Sequence, residues 1–222
     1  MSRLTEKNIE LLKLVGKFRF LSQELLAKYF DTSEEAVRLM GYKLIKLGFV
    51  RVEKVFHAGE RYFILDKLAV SYLGFKYLKK INHVTLIHDD LVYQLAISAM
   101  LKNKSVELEH ELKEQYLLKF DKAKDVYLPD LLIDKELAVE VELNIKDTKK
   151  LLTKVNKYNQ DSAIKKVMWL SNRPLALKRV QELSNDIKHE FYIFSDNILN
   201  YKKIDFTVNN KDIHTQVKEF TV

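Results

Sequence analysis

The run LPDLLIDKELAVEVELN, from Leu128 to Asn144, narrows the folds open to this chain more than any other segment. Two apolar stretches flank Asp134-Lys135 and read as a β-hairpin. A two-residue turn would pair Ile133 with Glu136 and mix apolar and charged side chains on both faces. A three-residue turn pairs Ile133 with Leu137 and Leu131 with Val139. That register gathers Leu131, Ile133, Leu137, Val139, Val141 and Leu143 on one face, and it is the register expected. The opposite face then carries Asp130, Leu132, Ala138, Glu140 and Glu142, with Asp130 across from Glu140 and Glu142 roughly 7 Å further along.

Like charges opposed across strands destabilise a sheet unless a cation offsets them. One candidate is Mg²⁺, which suits one or two carboxylates together with phosphate and water. The other is a lysine of the next helix. In KDTKKLLTKVNKY, positions 147, 151, 154 and 158 form one row, so Lys154 lies in the sheet-facing stripe while Lys149, Lys150 and Lys157 reach solvent. A third arrangement needs no cation: the acids face water and Lys154 extends past the helix edge. The residues leave all three open.

From His88 onward the pattern reads helix, three strands, helix, strand, helix, strand. HDDLVYQLAISAMLK is the first helix, and VELEHEL is expected as a strand with Val106, Leu108, His110 and Leu112 on one face. YLPDLLI, ELAVEVEL, a helix over 147–158, KKVMWLS, a helix opened by Pro174, and EFYIF follow. Trp169 and Phe191 fall on apolar strands and read as core. Mixed strands with crossover helices make an α/β sandwich. In the tail, Asn209-Asn210 reads as a turn, with an edge hairpin or a subunit contact as its expected roles.

The first eighty residues are different in kind. Net charge is +7, and residues 1–80 hold 16 Lys and Arg against 9 Asp and Glu, a balance of +7. The remainder holds 22 of each and is neutral. A basic segment on a neutral body points to a polyanion partner, with nucleic acid foremost. Here the reading is a helix over 5–17 with Ile9, Leu12 and Val15 on one face, then SQELLAKYF capped by Ser22. A third helix follows, with Thr32 and Glu35 at capping-box spacing, a stripe of Val37, Met40, Leu44 and Leu47, and a stop at Gly48. FVRVEKVF and RYFIL then form a hairpin through HAGE.

Three helices and a hairpin make the order of a winged helix-turn-helix, which lays its third helix in the major groove of duplex DNA. Arg38 and Tyr42 are the expected base-edge contacts, and Lys43 and Lys46 the phosphate contacts. Lys54, His57 and Arg61 on the hairpin are expected at the backbone or minor groove. Glu34 and Glu35 favour the helix dipole but repel phosphate. The other use of such a module is protein contact or dimerisation. Asp66 is expected to cap a further helix, KLAVSYLGFKYLKK, apolar nearly all the way round and therefore buried between units. The expected domains are residues 1–82 and 83–222.

The order αβββαβ, with Pro129-Asp130 on one strand and Glu140-Val141-Glu142 on the next, resembles the PD-(D/E)XK nuclease core over roughly Asp89–Trp169. That resemblance implies a restriction-endonuclease-like domain of α+β or α/β class. It implies Asp130 and Glu140 as ligands of a divalent metal, Mg²⁺, and Asp130, Glu140, Glu142 and Lys154 as the catalytic set. Position 142 is Glu where the family places Lys. Some members carry an acid there, and others take the lysine from the next helix, where Lys154 stands.

A closer resemblance covers nearly the whole chain. The winged helix, the helix opening at His88, LPDLLI, and LAVEVELNIKDTKKLLTKVNKY with its Glu140, Glu142, Lys154 and Tyr158 are similar to the replication-relaxation family. Its members are encoded on plasmids and integrative elements beside replication and mobilisation genes. The resemblance implies DNA binding in plasmid maintenance or transfer.

Other chemistries find little support. With no Cys the chain has neither a disulfide scaffold nor a thiolate zinc site, which fits a reducing compartment, and the cytoplasm is the expected location. Its six His show no zinc-enzyme spacing, and no Walker, G-x-G-x-x-G or G-x-S-x-G motif occurs. MSRLTEKNIE reads as a polar helix start, and no apolar run approaches the ~20 residues of a membrane span. Expected partners are therefore double-stranded DNA, a second copy in a homodimer, and a replication or relaxase protein, with no membrane. The leading expectation is a DNA-binding protein whose nuclease-like domain serves assembly. A Mg²⁺-dependent endonuclease and a transcriptional regulator are the alternatives.

Overall fold

The computed structural model describes residues 4–55, 60–75, 81–82, 84–119, 127–144, 147–184 and 188–193. The fold is mixed α and β, with two compact units, Met1–Ile97 and Ser98–Val222.

In the first unit, α1 (Glu6–Phe18) starts at Thr5, whose hydroxyl accepts from the Asn8 amide while the Asn8 side chain accepts from the Thr5 amide. Leu11, Leu12, Val15 and Phe18 are buried from it. β1 (Leu21–Ser22) is a strand of two residues that the sequence pattern did not show. Ser22 ends it and caps α2 (Gln23–Tyr29) through the Leu25 amide, as expected.

α3 (Glu34–Lys46) is capped by Ser33, not Thr32; the Ser33 hydroxyl accepts from the Ala36 amide. Ser33 stands directly before the first helical residue, the position from which a hydroxyl reaches the third amide of the helix. The helix closes at Gly48, φ +75°, with the Gly48 amide on the Ile45 carbonyl and the Phe49 amide on Leu44. Paired bonds of this kind satisfy the last carbonyls and need a left-handed residue, which glycine supplies.

β2 (Val50–Val55) and β3 (Glu60–Leu65) pair antiparallel, and β1 joins on the far edge of β3, giving the order β1-β3-β2. α4 (Lys67–Leu73) is shorter than expected because Gly74, φ +73°, ends it. It is also not buried all round: Ala69 is inside, while Leu68 and Tyr72 are more than half exposed.

α5 (Leu86–Leu101) contains the division between the units, which therefore falls beyond residue 82. The reason lies in Tyr93, whose ring packs on Phe18 at 5.1 Å and Phe20 at 5.0 Å, both in the first unit.

The second unit corrects one element. The strand expected over 106–112 is β4 (Val106–Leu108) only, and the chain turns at once into α6 (Glu109–Lys119). Alternation is genuine for the buried Val106 and Leu108. Beyond them the Glu-, Leu- and Lys-rich run is a good helix former, and the Glu111 carboxylate reaches back to accept from the Leu108 amide. A helix therefore interrupts the three strands expected in succession.

β5 (Leu131–Ile133) and β6 (Leu137–Val141) form the hairpin in the expected register, Leu131 to Val139 and Ile133 to Leu137. Asp134 and Lys135 in the turn adopt φ of +50° and +61°. α7 (Thr148–Gln160), capped by Asp147, crosses over to β7 (Lys166–Ser171), and α8 (Pro174–Leu183) crosses to β8 (His189–Ile193). The sheet order is β4-β5-β6-β7-β8, antiparallel through β6 and parallel after it. α7 and α8 pack on one face, where Leu151, Val155, Leu177 and Val180 meet Ala138, Val167 and Trp169. This is the face that carries the acids of β6.

Candidate functional site

Covering that face decides the state of the carboxylates. Glu140 is 0% exposed and Glu142 1%, so the arrangement in which they face water is overturned. Lys154, 8% exposed, comes down from α7 onto them. Its ammonium donates to Glu140 Oε2 and lies 3.8 Å from Glu142 Oε1. One turn further along α7, the Tyr158 hydroxyl donates to Glu140 Oε1. Both Glu140 oxygens are therefore engaged from one helix row, residues 154 and 158. The Lys154 ammonium also sits 5.8 Å from the centre of the Trp169 ring, and Tyr158 meets that ring edge-on.

Asp130 takes a different place from the one its register implied. The strand ladder ends at Leu131, and Asp130 Oδ2 accepts from the Val141 amide at 2.8 Å. The side chain thus prolongs the ladder by one bond. Glu142 holds its backbone through an amide bond of 2.7 Å to the Leu170 carbonyl.

Electrostatics follow from this crowding. Burial pushes the Glu140 carboxyl up to about 8, against the pull of Lys154 and with the help of Asp130. Burial alone would lower the Lys154 ammonium, but Glu140, Asp130 and Glu142 together outweigh it and raise it. Tyr158 is held well above the ordinary phenol range by burial and by Glu140, so it stays a donor. Three carboxylates to one ammonium is an excess of negative charge in a dry site, and a raised carboxyl is how such a site sheds it.

A divalent ion does not fit this arrangement. Glu140 already accepts two hydrogen bonds, Asp130 accepts one from the backbone, and an ammonium occupies the space among the acids. Among the described residues no group of three His, Cys, Asp or Glu is placed to hold a metal. Of the four residues expected as a catalytic set, the structure brings Glu140, Glu142 and Lys154 into one buried cluster, with Asp130 on its border. Tyr158 is the member that site reasoning left out, although it lies in the same helix row as Lys154. Behind it Trp169 donates to His189 Nδ1 at 2.9 Å, and the other His189 nitrogen faces Asn159 Oδ1 at 2.6 Å.

In the first unit, the residues expected on DNA spread over α3 and the hairpin. Tyr42 and Lys46 are exposed, with the Lys46 ammonium 4.5 Å above the Tyr42 ring. Lys43 is half-buried. Arg38 is exposed but engaged: its guanidinium donates two bonds of 2.6 Å to the Glu35 carboxylate. Lys54 and Arg61 are exposed and directly opposed across β2 and β3. His57, and the tail with Asn209-Asn210, lie outside the described residues. The residue missed on this surface is Leu39, 57% exposed on α3 beside Tyr42 at 54%.

No family model matches the chain, and no curated protein matches it.

Proposed function

We propose that this chain is a DNA-binding protein of a plasmid or integrative element, acting in replication, mobilisation or its regulation. The first unit serves as a winged helix-turn-helix: α3 enters the major groove and the β2–β3 hairpin is the wing. The second unit is a nuclease-like domain whose acids and lysine bond to one another, and it serves assembly or contact with a replication or relaxase protein.

The observation that carries the DNA reading is the pair Lys54 and Arg61. Like charges directly opposed on an exposed hairpin are unfavourable unless an anion lies between them. A phosphate backbone supplies that anion, and all of the chain's net charge, +7, lies in residues 1–80. Arg61 is two residues from Phe63, whose ring lies against Gly41 of α3, so by strand alternation the pair extends the face that α3 packs on. The plasmid role rests on the resemblance of the run from Glu140 to Tyr158 to the replication-relaxation family.

The test is duplex binding by the full chain across a salt series. Replacing Lys43 and Arg61 together with Ala is expected to weaken binding of every duplex and to reduce the salt slope by about 2. An unchanged slope would place the DNA contact elsewhere.

A further inference from the structure

The outermost line of α3 is not basic. Val37, Gly41 and Leu44 face inward, and the opposite line runs Glu35, Leu39, Tyr42, Lys46. Its centre is therefore Leu39 and Tyr42, each more than half exposed. A large apolar side chain held at the crest of a helix loses free energy to water unless a partner covers it.

The major groove offers one apolar feature, the C5-methyl group of thymine. The other base-reading chemistries of α3 are absent or engaged elsewhere. Guanine is read by Arg or Lys; Arg38, the one arginine of α3, already donates two bonds to Glu35, the Lys46 ammonium lies over the Tyr42 ring, and Lys43 is half-buried off the crest. Adenine is read by Asn or Gln, and α3, EEAVRLMGYKLIK, contains neither. Cytosine is read by a carboxylate; that of Glu35 accepts from Arg38, and that of Glu34 lies 3.4 Å from the Gln23 side-chain amide. Cations flank the crest instead: Lys46 at its end, and the opposed Lys54 and Arg61 on the hairpin.

We propose that α3 selects duplex DNA by seating thymine methyl groups on Leu39 and Tyr42, so that the bound site carries A·T pairs beneath the middle of this helix. The assignment rests on the DNA-binding reading above and gives it a base preference. A protein partner on the same crest is the competing occupant; the cations beside the crest favour DNA.

The experiment starts from a random duplex pool selected on the full chain, followed by anisotropy with the selected duplex. A second duplex carries deoxyuridine in place of each thymidine, which removes the methyl groups and nothing else. Affinity is expected to fall about fourfold for each methyl in contact. Leu39→Ala should discriminate between the two duplexes about fourfold less than wild type while keeping the wild-type salt slope, and its urea midpoint should stay near wild type because the side chain is exposed. Equal binding of both duplexes by the wild-type chain, or a selected site without thymine, overturns the base preference and leaves DNA binding standing. Retention of no duplex at low salt overturns DNA binding itself, whereas retention without enrichment overturns only the base preference. If Leu39→Ala instead converts a dimer to a monomer in sedimentation and keeps the thymine preference, the crest is a protein interface and the assignment is wrong.

Discussion

Lys154 is the cation set among the buried acids of the second unit. It is the cation that makes Glu140 and Glu142 tolerable beneath α7, and a buried pair that loses one partner leaves a charge without compensation. At about pH 9, above the Glu140 titration, Lys154→Met, which keeps the volume and removes the charge, is expected to cost about 3–5 kcal/mol in urea denaturation. Adding Glu140→Gln to it should return much of that loss, because the buried charge leaves with its partner. The raised Glu140 carboxyl has a pH consequence of definite sign. The folded state holds a proton, up to about 8, that the unfolded chain releases near 4.5. Stability from this group is therefore complete below about 4.5 and declines as pH rises towards about 8. The Lys154 contribution is present throughout that window, since its ammonium is raised from an ordinary value of 10.5. Wild type should lose more stability than Glu140→Gln between about pH 5 and pH 8, measured as the difference in urea midpoints. Equal slopes would remove the proton from Glu140.

At the level of elements, one close approach seats α3 on β3 in the first unit. A Cβ at Gly41 would lie 2.1 Å from the Phe63 ring, so α3 can approach β3 only with glycine there. Gly41→Ala is expected to lower stability by about 1–3 kcal/mol, because the ring must leave its position. If thermal melting of that variant matched wild type, α3 would not be seated on β3 through this contact. The register of β5 and β6 was legible because side-chain period and turn length both forbid a slip of one residue. The helix row that carries Lys154 was legible for the same kind of reason. The start of α6 was not, since HEL continues the alternation of VEL and only the bond from Glu111 back to Leu108 marks the change. α4 was overextended because its apolar residues outweighed Gly74 in the reading, whereas a left-handed glycine stops a helix whatever its neighbours.

For the whole molecule, the proposed reading of binding without cleavage rests on the basic residues 1–80 and on a Glu140 already engaged by Lys154 and Tyr158. Supercoiled plasmid incubated with the full chain and Mg²⁺ or Mn²⁺ is expected to stay intact, equally for wild type and Asp130→Ala. Nicking by wild type that disappears in Asp130→Ala would restore the endonuclease reading, because Lys154 would then have to leave Glu140 for a metal to enter. The sequence by itself determined the charge asymmetry, the α and β order apart from α6 and β1, the hairpin register, and the row of α7 that carries Lys154 and Tyr158. These are consequences of local periodicity and turn chemistry, which act over a few residues. Tertiary structure alone decided that Glu140 and Glu142 are dry, that Lys154 and Tyr158 both bond Glu140, and that Leu39 lies open to water. Burial depends on which element covers a face, and that choice is made between segments far apart in the chain, where no local pattern records it.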